Sequence, residues 1–294
     1  MCARYTCVRR LILLAMAATA CAQPAPDSAE TTKILDAIRE AVLAYTEKLP
    51  NFICVQLTVR EIAAAPNALL GVRESGRGGP SSVRGTSGTW QRVDSYEQQL
   101  SYFERRESYK LLKVNGKIPG PKQEAPPGAT STGEFGTTLS QIFDPESRAE
   151  FEWKRWDTVR GRHVSVFAFK VEKSRSLAEL VTPMARTVVG YHGLVFADRE
   201  TDAVLRVTTE AEAPPDFPLQ DTTHRLEYGL VTIGGEQFML PIQGEMQFRA
   251  SQDFMEYGRL GGNSRQVLMR NRVDFKTYRR YTADADLKLD PDSK

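Results

Sequence analysis

The chain has 294 residues, 41% of them hydrophobic, and a formal net charge of +2. The basic surplus belongs to its start: residues 1–22 hold Arg4, Arg9 and Arg10 and no acid, so the rest carries 36 basic against 37 acidic side chains. That balance gives no electrostatic case for nucleic acid as a partner, and a chain of this length can build a large core without covalent staples.

Residues 1–22 read as a signal peptide. The three arginines precede a short apolar run, Leu11–Ala18, and small residues follow at Ala18-Thr19-Ala20-Cys21-Ala22. About ten helical residues reach only ~15 Å, half of the ~30 Å hydrocarbon layer, so the run is too short for an anchor. No later run is apolar enough to span a membrane, and the expected location is the periplasm or the face of the outer membrane. Two processing readings stand. An ordinary signal peptidase would cut after Ala22; a lipobox-like Ala18-Thr19-Ala20-Cys21 would make Cys21 the lipidated first residue. Either way Cys54 remains as a lone cysteine in "NFICVQLTV", with nothing to pair with in a disulfide. It reads as a small buried hydrophobe.

Residues 23–29 (QPAPDSA) form a Pro-rich linker, and residues 30–294 a single domain. The domain opens with one long helix over 30–49, where Ile34, Leu35, Ile38, Ala41, Val42, Tyr45 and Leu49 make an apolar stripe. Thr31 or Thr32 serves as its cap, and Pro50-Asn51 ends it. The period then changes to two, with strands expected near 52–62, 87–104, 107–114, 150–157, 162–173, 187–197, 203–213, 222–233, 237–249 and 266–279. Turn signals separate them at Asn115-Gly116, Arg160-Gly161, 198–202 and Gly234-Gly235. In 242–249 the alternation is clearest: Ile242, Gly244, Met246 and Phe248 face one way, Gln243, Glu245, Gln247 and Arg249 the other. Segments 71–88 and 119–133 are Gly-, Pro- and Ser-rich loops. Segments 134–144 and 174–184 are candidates for short helices that plug a concavity. Successive strands behind one leading helix argue for an α+β fold with a single large antiparallel sheet.

No spacing in the chain announces a catalytic or metal centre. His163, His192 and His224 lie on separate strands with no close pair, and read as ordinary strand histidines. The glycines at 76–79 lack the Gly-Lys-Ser/Thr of a phosphate loop. Asp198 and Asp202 belong to a turn. Glu210 and Glu212 share one strand face, in solvent. Arg270, Arg272, Arg279 and Arg280 fit a wet sheet face, or a surface for an anionic partner. No cofactor is expected.

"LPNFICVQLTV" directly after the helix, the hairpin "FADRETDAVLRV", the strand pair "LEYGLVTIGGEQFMLP" and the closing "VDFKTYRRYTADADL" resemble the LolA/LolB type of bacterial lipoprotein-sorting proteins. The resemblance implies an unclosed β-barrel, a half-barrel with one long N-terminal helix and short plug helices. Its concave side would bind a lipid or lipoprotein acyl chain without catalysis. Two alternatives remain: an envelope structural or protein-interaction module whose concavity is filled, and a secreted hydrolase with a site assembled from distant strands.

Overall fold

The computed structural model describes residues 24–64, 89–104, 106–120, 135, 137–182, 185–251 and 266–281. Helix α1 runs over Ser28–Lys48 and begins two residues before the expected start. Its cap is Asp27, the last acid of the Pro-rich linker, whose carboxylate accepts the Glu30 amide at 2.8 Å. An N-cap carboxylate both satisfies an orphan N–H and opposes the helix dipole, which a threonine does less well. The helix stops before Pro50, as expected.

Twelve strands follow: β1 (Phe52–Ala64), β2 (Gln91–Phe103), β3 (Arg106–Val114), β4 (Glu150–Val159), β5 (Arg162–Val171), β6 (Glu179–Val181), β7 (Arg186–Val188), β8 (Gly190–Asp198), β9 (Val204–Glu212), β10 (Gln220–Ile233), β11 (Glu236–Ser251) and β12 (Gln266–Arg280). Ten form one sheet in the order β3-β2-β1-β12-β11-β10-β9-β8-β5-β4, with neighbours antiparallel. Strands β3 and β4 are its two edges and do not pair among the described residues. Helix α2 (Thr137–Phe143) falls within the segment expected to hold a plug helix. The other expected plug helix, 174–184, does not form over the described residues 174–182. There a single 3-10 turn at Lys173–Arg175 leads into strand β6, which pairs only with β7 in a separate two-stranded sheet. Leu180-Val181-Thr182 is β-branched in two of three positions, which favours that extended pairing.

The sheet curves around α1. Burial, with Tyr228 of β10 and Tyr102 of β2 adding to it, pushes the hydroxyl of Tyr45, near the helix C-terminus, well above its ordinary pKa. Ile38 and Val42 of α1, with Leu139, Ile142 and Phe143 of α2, pack on Phe167, Val195, Val207, Leu226 and Tyr228. A second cluster joins Phe52, Cys54, Leu100 and Tyr102 to Phe135, Leu240 and Phe275. Cys54 is fully buried there, as the apolar strand context implied. The architecture is α+β: an unclosed antiparallel half-barrel with a long helix in its trough.

Alternation along β8 follows from this curvature. Tyr191, Val195 and Ala197 belong to the inner cluster, while Leu194 and Phe196 pack in a small cluster on the outer face. The rest of the outer face is laced with ion pairs. Glu61 accepts from Arg270 and Arg272, and Glu227 from Arg206 and Arg160. Arg270 and Arg272 thus share one carboxylate, that of Glu61, on this face. Asp198 closes the β8–β9 turn by accepting the Glu200 and Thr201 amides, the Thr201 hydroxyl and the Arg162 guanidinium. That network holds its carboxyl down at about 2, with the Arg162 hydrogen bond the largest cause.

Candidate ligand site on the concave face

On strand β1 the inner positions start apolar, with Phe52 and Cys54, and then change character: Gln56, Thr58 and Arg60 follow on the same face before Ile62. The same break occurs on β12, where Asn271 interrupts the inner run Val267, Met269, Val273 and Phe275. Direct cross-strand partners share a face, so the registers can be followed across the sheet. Asp94, Arg60, Asn271, Met246, His224, Thr209 and Gly193 stand opposite one another on seven adjacent strands. They form one transverse row.

The rows on either side are largely apolar. Below lie Thr58 on β1 and then Val273, Gly244, Leu226, Val207, Val195, Phe167 and Trp153, beneath α1 and α2. Above lie Ile62, Met269 and Phe248. These join Phe217, Leu219, Ala250 and Val267 in a third cluster, against which Leu180 and Ala185 of the β6–β7 hairpin segment pack. The concave face therefore has two largely dry zones with a belt between them that is polar at five of its seven positions, Met246 and Gly193 being the exceptions.

Within the belt Arg60 and Asp94 satisfy each other. The Arg60 Nε donates to Asp94 at 2.7 Å, and a second guanidinium nitrogen bonds the other carboxylate oxygen. The Arg60 cation also lies over the Tyr96 ring at 5.9 Å. Thr58 and Gln56, stepping down β1 from Arg60, are 2% and 4% exposed, and neither the Thr58 hydroxyl nor the Gln56 Oε1 has a hydrogen-bond partner among the described residues. A buried hydroxyl or amide oxygen left unpaired costs ~1–3 kcal/mol. Such groups in a native protein are explained by strain, by an unseen molecule or by function.

His224 is the other distinctive member. Burial pushes its imidazole down to about 4, so it is neutral near pH 7. Yet the residue keeps intermediate solvent exposure, as does Thr209 beside it. Packing beside the ring is close at Gly244, where a Cβ would meet Leu226 at 3.2 Å and the His224 Nε2 at 3.8 Å.

Structure separates the three histidines. His163 is exposed at the start of β5, and His192 is exposed on the outer face with Glu210 at 3.7 Å and Glu212 at 3.6 Å. Reading His224 as an ordinary strand histidine missed its place in the belt. Gln56, Thr58, Arg60, Asp94 and Asn271 were also missed. A signal existed, in polar residues that continue the parity of Phe52 and Cys54, but only the register shows that they align with Asn271 and His224. Cys21 lies outside the described residues, as do the Gly-rich loop 71–88, most of 119–133 and the glycines at 76–79.

No family model matches the sequence, and no curated protein matches it. Among solved structures the chain is similar to a DUF1329 family protein from Desulfovibrio piger, at 10% identity over 86% of this chain and 94% of that one, with a TM-score of 0.34. It is also similar to a LolA superfamily protein from Nitrosomonas europaea, at 10% identity over 84% and 93%, with a TM-score of 0.32. The Pseudomonas aeruginosa MucA/MucB complex matches at 10% identity over 86% and 100%, with a TM-score of 0.23. At scores this low a superposition adds nothing to the strand order, which by itself defines the class: an unclosed, helix-lined antiparallel half-barrel.

Proposed function

We propose that the protein is a non-enzymatic cell-envelope protein, exported to the periplasm or the outer membrane, whose concave face takes the acyl chain of a lipid or of a lipid-modified protein. The observation that carries this reading is how the apolar inner face is covered. Over its upper zone lies a hairpin of two three-residue strands, hydrogen-bonded as a sheet of its own and not to the barrel. Over part of its lower zone lies the seven-residue helix α2. Short covers of this kind can be lifted without breaking the large sheet. Burying a sixteen-carbon chain in their place contributes on the order of 10 kcal/mol, at ~0.8 kcal/mol per CH₂. In the belt His224 stands opposite Met246 and Thr209.

The scaffold reading has its own support, since Ile38 and Ile142 are fully buried and fill the trough beneath the helices. Native mass spectrometry on the full chain, exported and purified without detergent, separates the two. A stoichiometric acyl species, released by lipid extraction, is expected. A bare protein mass that takes up no added acylglycerol, fatty acid or lipopeptide would overturn acyl binding and leave the scaffold. The same spectrum reads the processing: a diacyl mass on Cys21 marks a lipoprotein, an unmodified start at Gln23 a simple secreted protein.

A further inference from the structure

We infer that the polar belt selects the polar end of the bound amphiphile: it takes a neutral group that donates hydrogen bonds, a hydroxyl or an amide, in preference to an ionised carboxylate or phosphate. This rests on the acyl-binding reading above and specifies its ligand class.

The argument starts from charge. The belt's one cation, Arg60, is held by Asp94 through two hydrogen bonds, so no cation in the row is left to pair with an anionic headgroup. The other polar groups, Asn271, Thr209 and the neutral His224 in the row and Thr58 and Gln56 below it on β1, carry no charge. Bringing a carboxylate into such a site would strip its water without an opposite charge to compensate.

Hydrogen-bond polarity points the same way. The Gln56 Oε1 can only accept, and the Thr58 hydroxyl oxygen accepts as well as donates; both are more than nine-tenths buried and lack partners among the described residues. A carboxylate is acceptor-only and cannot satisfy the Gln56 oxygen. A glycerol hydroxyl or an amide N–H can. The two groups sit at successive inner positions of β1, about 7 Å apart along the strand, which suits adjacent hydroxyls or one hydroxyl and one amide. The dry zones above and below then hold the chain, or two chains running in opposite directions from one polar junction.

The test uses the exported full-length protein and two probes of equal chain length, 1-monopalmitoylglycerol and palmitate at pH 8, each below its aggregation threshold. Displacement of a fluorescent acyl probe reads the affinities. The glyceride is expected to bind about ten-fold tighter than palmitate, roughly what one or two neutral hydrogen bonds supply. In the double variant Gln56→Leu, Thr58→Val the ratio is expected to fall to about two-fold or less, with palmitate affinity retained. Denaturation of the same variant controls for folding, and its midpoint should be no lower than that of the parent. Equal affinities in the parent, or a preference that survives in the double variant, would overturn the belt's role while acyl binding stands. Failure of both probes to bind would overturn the acyl reading itself.

Discussion

Thr58→Val isolates the energetics of the belt in a single atom exchange. The Thr58 side chain is 2% exposed and its hydroxyl has no partner among the described residues, while Tyr96 and Val273 flank it across the two neighbouring strands. Valine keeps the β-branched shape and its strand preference, and puts a methyl where an unpaired hydroxyl now sits. Removing the desolvation penalty of an unpaired group is worth ~1–3 kcal/mol, and some of that is offset where the methyl packs imperfectly. The expected gain is ~1–2 kcal/mol. For a domain of this size each kcal/mol moves Tm by ~2–4 °C, so a rise of ~2–8 °C is expected. Urea denaturation followed by the fluorescence of the three tryptophans should show a higher midpoint at an unchanged slope, the mark of a stability change without a change in compactness. A loss of ~1 kcal/mol or more would refute the reasoning, because it would mean that the hydroxyl makes a hydrogen bond in the folded protein, to a bound water or to a retained ligand. A stabilising substitution that weakens glyceride binding would place Thr58 among positions kept for function at the expense of stability.

Acid should destabilise the fold in two stages. The folded His224 titrates near 4, below the ~6.5 of an unfolded histidine, so its contribution is full above that value and is lost as pH falls from ~6.5 towards 4. Asp198, held at about 2, contributes above its unfolded value near 4 and loses that contribution as pH falls from there towards 2. Urea midpoints at pH 7, 5 and 3 should fall in step, and His224→Gln should flatten the slope between pH 7 and 5 but not below 4; an unchanged slope in that variant would exclude His224 as the source. Gly193→Ala should cost several kcal/mol, on the order of 3, since a Cβ there would lie 1.8 Å from the Thr208 carbonyl oxygen, on a backbone that cannot move without breaking the β8–β9 pairing. Wild-type stability in that variant, by the same urea assay, would show that the two strands are not so close.

The architecture was legible because it follows from local periodicities. A stripe of Ile34, Leu35, Ile38, Val42 and Tyr45 at helical spacing can bury itself only against an apolar surface, and the following period-two segments supply one. Ten strands of the large sheet therefore emerge near their expected places, and Gly234-Gly235 and Arg160-Gly161 turn where φ must be positive. The error at 174–184 has the same origin in reverse. "SLAEL" carries helical spacing, but strand pairing between Glu179–Val181 and Arg186–Val188 is a contact between segments, and it overrides a short local preference.

What the amino-acid sequence determined alone was the leading helix, the succession of strands, the dry and wet faces of the strand at 242–249, and the buried setting of Cys54. The belt was decided only by tertiary structure. Gln56, Thr58 and Arg60 each look like a polar position in a half-exposed strand, and Asn271 and His224 lie far from them in the chain. Whether they face solvent or the interior depends on which side of the sheet the helix covers. Whether they meet depends on the register of β2, β1, β12, β11 and β10. Register is set by the sum of many cross-strand contacts, and a slip of one residue would turn all of these side chains outward. No single strand contains that information, which is why a row polar on five of its seven strands showed in β1 only as polar residues at positions that began apolar.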